Sequence, residues 1–191
     1  MTKPPIALER RTLVKENAVF SVYSDHVRDA GGGEVEDYLS IVPRHRTADK
    51  VSGVAVLPVL EDRFGLIRVY RYPLGEYCWE VARGFVDSGE TPMAAAAREL
   101  REETGLVAGR PMVNIGVIAP EPGVIDAKVA LFAAPQCVRD AAGTQGEMGH
   151  GELRFYTRDE LASLVQDGGV LDPCSLIILL RYLGVGTVAP A

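Results

Sequence analysis

At 191 residues the chain has room for one domain with a full core and is too short for two. Its 47% hydrophobic and 24% charged content is that of an ordinary globular protein, and a net charge of −6 argues against a nucleic-acid backbone as partner. Three widely spaced cysteines without a C-x-x-C pair suggest neither a zinc site nor a disulfide framework, and predict reduced thiols in the cytoplasm.

The opening stretch MTKPPIALERRTLVKEN has no apolar h-region, so no secretory signal is expected. AVFSVYSDHV (18–27) reads as a strand, DAGGGEVED as a turn and YLSIV as the returning strand of a hairpin. VSGVAVLPVL (51–60) reads as a buried strand, FGLIRVYRY (64–72) returns after a turn at 61–63, and EYCWEVAR (76–83) is a further strand. A helix follows: Thr91 suits its cap, Pro92 its first turn, four alanines its propagation and Gly105 a left-handed exit. VNIGVIAP and AKVALFAA are strands joined by the loop EPGVID (121–126). After the Gly-rich loop AGTQGEMGHGE (142–152), LRFYT is a strand, and TRDE (157–160) has the capping-box spacing of a helix start. A last helix from Asp172–Pro173 is expected to bury Leu176, Ile177, Leu179, Leu180 and Leu183; SLIILLRYL within it is too short to span a bilayer. The pattern is α/β, with residues 1–47 as a small N-terminal β extension.

The central helix poses a chemical question. Glu99, Glu102 and Glu103 stand three and four residues apart and share one face. Like charges at that spacing cost roughly 0.2–0.5 kcal/mol per pair on an exposed helix. Two kinds of relief are open. One is a solvated acidic face balanced by Arg98 and Arg101. The other is a hard divalent cation, since Mg²⁺ takes one or two carboxylates and leaves room for substrate phosphate.

The wider spacing is more specific. Gly84, Glu90, Arg98, Glu99, Leu100, Glu102, Glu103, Gly105 and Leu106 fit the Nudix box at every defined position. A chance match at average residue frequencies is on the order of one in ten million for a chain of this length. The chain therefore resembles the Nudix hydrolases. RYPLGEYCWEVARG (71–84), Pro122–Gly123 and the segment GELRFYTRDELASLVQDGGVLD are similar to the ADP-ribose pyrophosphatase branch.

That resemblance implies an α/β/α sandwich with a mixed β-sheet, with residues 48–186 as the hydrolase domain. It implies Mg²⁺-dependent cleavage (Mn²⁺ may substitute) of ADP-ribose or a related nucleoside diphosphate sugar to a nucleoside monophosphate and a sugar phosphate. Glu99 and Glu103 would be the principal metal ligands, with Glu102 auxiliary and the backbone carbonyl of Arg83 completing the site. Gly84, Glu90, Arg98 and Gly105 would shape the loop–helix–loop. Arg71, Glu80, Pro122 and Gly123 would contact substrate. Glu152, with Glu147 as second choice, would be the general base and join Glu102 and Glu103 in catalysis; His150 is a weaker proton carrier. The branch further implies a homodimer built through the N-terminal β segments, with neither nucleic acid nor membrane as partner. One departure stands out: Ala82–Arg83 replaces the Pro-Ala common before the box glycine, placing a guanidinium near the phosphates.

Phe20, Tyr23 and Tyr38 are candidates to stack on the base, whereas Trp79 and Tyr77 read as core. Walker A, G-x-G-x-x-G, G-x-S-x-G and H-E-x-x-H motifs are absent from the sequence. The alternatives keep the chemistry with GDP-mannose, UDP-glucose or a dinucleoside polyphosphate as substrate, or keep the fold as a non-catalytic nucleotide-sugar sensor.

Overall fold

The computed structural model describes residues 4–140 and 149–184. Three long strands, β1 (Ile6–Glu16), β2 (Phe20–Asp29) and β3 (Glu34–Pro43), form an antiparallel sheet of their own. The β2–β3 hairpin follows the expected turn, where Asp29 Oδ1 accepts from the amides of Gly31 and Gly33. Strand β1 has no counterpart in the sequence reading: it is almost wholly exposed, and hydrophobic alternation therefore gives no signal for it.

The body is a mixed sheet. Its strands β4 (Val51–Leu60), β5 (Arg63–Arg71), β9 (Val113–Ile118), β10 (Lys128–Ala134) and β12 (His150–Tyr156) run in the order β12-β5-β4-β10-β9. Strands β6 (Glu76–Glu80) and β7 (Ala82–Phe85) pair with β5 and β4, and β10 runs parallel to β4. A two-residue pair, β8 (Leu106–Val107) with β11 (Val138–Arg139), lies apart.

Strand β4 explains the layering. Almost every residue in it is buried because both faces are covered. Val54 and Val56 pack toward α1 (Pro92–Thr104), against Ala95, Ala96 and Leu100. Ala55, Leu57 and Val59 face the other way, toward α2 (Arg158–Gln166) and α3 (Pro173–Ile178), where Leu161, Cys174 and Ile178 lie. The result is the expected α/β/α sandwich.

The helix starts behave as their sequences predict. Thr91 Oγ1 accepts from the amide of Ala94, Gly105 exits with φ 66°, and Thr157 and Glu160 complete a reciprocal capping box. The last helix corrects one expectation. After Ile178 the chain continues as a π-helical turn (Leu179–Leu183), which changes the phase of the buried face. Ile178, Leu179 and Leu183 are buried, Leu180 is 41% exposed, and Leu176 and Ile177 are only partly covered. Among the described residues no helix is long and apolar enough to cross a membrane.

Candidate active site

The buried stripe of α1 begins with Ala95 and Ala96 and ends with carboxylates. Glu99 is 4% exposed and Glu103 9%, so the face that packs on the sheet also carries both groups to the end of β7. There the backbone makes room for them. A Cβ on Gly84 would stand 2.1 Å from Glu99 Oε1, so only glycine permits this approach. The amide of the preceding residue, Arg83, donates to Glu103 Oε2 at 3.0 Å.

Arg98 organises the acidic ridge. Its Nη1 donates to Glu99 Oε1 (2.7 Å) and Glu102 Oε2 (3.0 Å), while Nε and Nη2 both reach Glu90. Nη2 also donates to the carbonyl of Phe85 at 2.8 Å, tying the helix to the loop entry. Hydrogen bonds from Arg98 hold the Glu90 carboxyl below its usual range, and Glu90 in turn raises the guanidinium above its own. One positive charge serves three carboxylates, so the ridge stays anionic.

A second network borders the first and is close to neutral. Glu80, 2% exposed, accepts from Arg71 Nε (2.7 Å) and Nη2 (2.5 Å), a bidentate pair. Arg83 Nη1 approaches Glu80 Oε2 at 3.3 Å and donates to Asp172. Asp172 is also the N-cap of α3, accepting from the amide and hydroxyl of Ser175 at 2.7 Å each. Ser175 Oγ accepts from the amide of Val81 at 2.9 Å, which closes the loop between α3 and the β6–β7 bend.

Both networks meet at a cleft of about 490 Å³ whose lining includes Arg71, Arg83, Gly84, Arg98, Glu99 and Phe20. Phe20 makes an edge contact with Phe85 at 5.7 Å, so of the three stacking candidates it is the one in this cleft. Tyr23 lies under Arg11, and the Tyr38 hydroxyl donates to the carbonyl of Gly123. Trp79 packs into the core against Tyr156, as expected, but Tyr77 is 55% exposed and is not core. Pro120 and Ile125 from the 121–126 loop region line the cleft, whereas Pro122 and Gly123 line a separate cavity beneath the N-terminal sheet. Glu152 is exposed on β12 and does not line the cleft. Glu147 and the side chain of His150 lie outside the described residues.

Sequence reasoning missed Asp172 and Ser175 as members of the site. Their only signal was the Asp-Pro helix start, which speaks of a cap and not of a partner 89 residues away.

Among the described residues no three or more His, Cys, Asp or Glu side chains form a metal-binding group as they stand. The donor chemistry nevertheless fits a hard cation. Two nearly buried carboxylates reach β7, Glu99 against Gly84 and Glu103 on the Arg83 amide, and Mg²⁺ asks for only one or two protein carboxylates, completing its shell with water and phosphate.

The sandwich is shared with a crystal structure of an ADP compounds hydrolase, at TM-score 0.77 and 20% identity over 98% of this chain and 100% of that one. Residues 49–170 match the NUDIX domain, and the chain belongs to this family, the Nudix hydrolases. It is 33% identical over 175 residues to an ADP-ribose pyrophosphatase of Mycobacterium tuberculosis, covering 89% of this chain and 79% of that protein. The match to a putative nudix hydrolase 2 of Caenorhabditis elegans is 43% over 61 residues, 32% of this chain and 27% of the relative.

Proposed function

We propose that this protein hydrolyses the pyrophosphate bond of ADP-ribose or a related nucleoside diphosphate sugar, using Mg²⁺, to give a nucleoside monophosphate and a sugar phosphate. The observation that carries the reading is the nearly buried carboxylate of Glu99, which lines one cleft with Arg71 and Arg83, with the nearly buried Glu103 beside it on the amide of Arg83. Similarity to an ADP-ribose pyrophosphatase along most of the chain supports the substrate class.

Glu99 and Glu103 would hold the cation, with Glu102 and the Arg83 carbonyl as further ligands. The cation supplies charge neutralisation at the phosphates. Gly84 lets Glu99 reach the strand end, and Arg98 with Glu90 fixes the helix against the loop. Arg71 would bind a phosphoryl or ribose oxygen while Glu80 holds its fork in place. In the reaction the oxygen of water bonds to one phosphorus and the bridging P–O bond breaks, while Glu152 would accept the proton that water loses. Glu152 is assigned from the motif resemblance, and Pro122 and Gly123 would contact substrate from the loop beyond β9 (Val113–Ile118).

The test is a panel of ADP-ribose, GDP-mannose, UDP-glucose and dinucleoside polyphosphates with Mg²⁺, products identified chromatographically. AMP and ribose phosphate from ADP-ribose are expected; ADP-ribose left intact while another substrate is cleaved overturns the substrate assignment. In the same assay Glu152→Gln should lower kcat by about 100-fold or more, the usual worth of a general base. Wild-type turnover in that variant removes the role.

We further propose residues 1–47 as a dimerisation segment for the hydrolase domain 48–186. Strand β1 is the outer strand of its sheet and exposes Leu8 at 53%, Leu13 at 53% and Val14 at 60%, an apolar edge that invites a second copy. Light scattering at the monomer mass would refute this. The three free, buried cysteines favour the cytoplasm, and recovery of the native protein outside that fraction would refute the placement.

A further inference from the structure

Arg83 has a task that the box does not give it. Its backbone amide supports Glu103, while its side chain lies in the cleft wall between Glu80 and Asp172. The two carboxylates are engaged through one nitrogen, Nη1. No described residue accepts from its Nε or Nη2, and the same holds for Nη1 of Arg71. Two guanidinium groups thus bracket Glu80 and retain unused donors at the same cleft.

Asp172 sets this arrangement. It is 7% exposed and fixed by Ser175, so it cannot follow Arg83 into the cleft. By holding Arg83 Nη1 it leaves Glu80 to its bidentate partner, Arg71, at 2.5–2.7 Å, against 3.3 Å for Arg83. The guanidinium is therefore oriented before substrate arrives, which is the condition under which a charged donor contributes most to binding an anion.

We propose that Arg83 is a specificity-determining substrate contact that takes a phosphoryl oxygen of the diphosphate, and that Asp172 is its positioning residue. This rests on the reading of the cleft as a diphosphate site. It predicts that recognition centres on the diphosphate, with two guanidinium arms on it, Arg71 and Arg83.

The probe is methylenediphosphonate, a diphosphate analogue that cannot be cleaved, titrated calorimetrically into the full chain with magnesium. Arg83→Gln should weaken binding about 10- to 100-fold, the worth of a charge-assisted hydrogen bond. Arg83→Lys should recover only part of that loss, since a point charge lacks the fork. Asp172→Asn should weaken binding less than Arg83→Gln, and adding it to Arg83→Gln should cost nothing more. If Arg83→Gln lowers the melting temperature yet binds the probe as the wild type does, Arg83 is structural and the proposal fails. It fails equally if the wild type does not bind the probe. Binding that is lost in Arg83→Gln, in a protein that leaves ADP-ribose uncleaved, refutes the substrate assignment alone and upholds Arg83.

Discussion

Glu103→Gln is expected to reduce turnover by about 10³-fold while leaving the fold intact. The carboxylate sits at 9% exposure at the end of the helix face, with Oε2 on the Arg83 amide. Glutamine keeps an oxygen for that amide but loses the negative charge that a cation requires. A cation at a phosphoryl centre supplies several kcal/mol, and each 1.36 kcal/mol is tenfold in rate. Circular dichroism and melting temperature should match the wild type. Near wild-type turnover would show that Glu103 is not a ligand.

Gly84→Ala tests the same site from the opposite wall. The added methyl would lie 2.1 Å from Glu99 Oε1 and 2.4 Å from Oε2, a contact no real structure tolerates. No positive φ is involved at this residue, so alanine can adopt the backbone, and the side chain of Glu99 is what moves. Displacement by about 1 Å of a group that positions reactants is worth about 100-fold in rate. The expected result is a loss of that order with a stability cost of about 1–3 kcal/mol for overpacking. In a Glu99→Gln background the same change should cost little further activity, because the group it displaces is already disabled. Full activity in Gly84→Ala would mean that Glu99 does not need its cradle.

What the sequence made legible was local. The cap at Thr91, the exit at Gly105 and the shared face of Glu99 and Glu103 all follow from helical spacing, and all stand where that spacing puts them. Arg98 to Glu102 at i,i+4 was readable for the same reason. The remainder depends on tertiary placement, which spacing does not encode. Arg83 meets Asp172 across 89 residues, and Phe20 meets Phe85 only because the N-terminal sheet docks over the cleft. Pro122 and Gly123 lie in the expected loop but line another cavity, since the backbone of Ile41 bonds to Val124 and Asp126 and turns that loop toward β3 (Glu34–Pro43). Leu180 is misread by a regular helical period because the π turn adds a residue to it.

The Arg98 hub has a consequence for assembly. A helix whose acidic side chains are already gathered by an internal counter-ion, and latched to the Phe85 carbonyl, has no need of divalent ions to reach its native shape. Chelator is therefore expected to lower turnover without lowering the melting temperature, and added Mg²⁺ to restore activity with no refolding step.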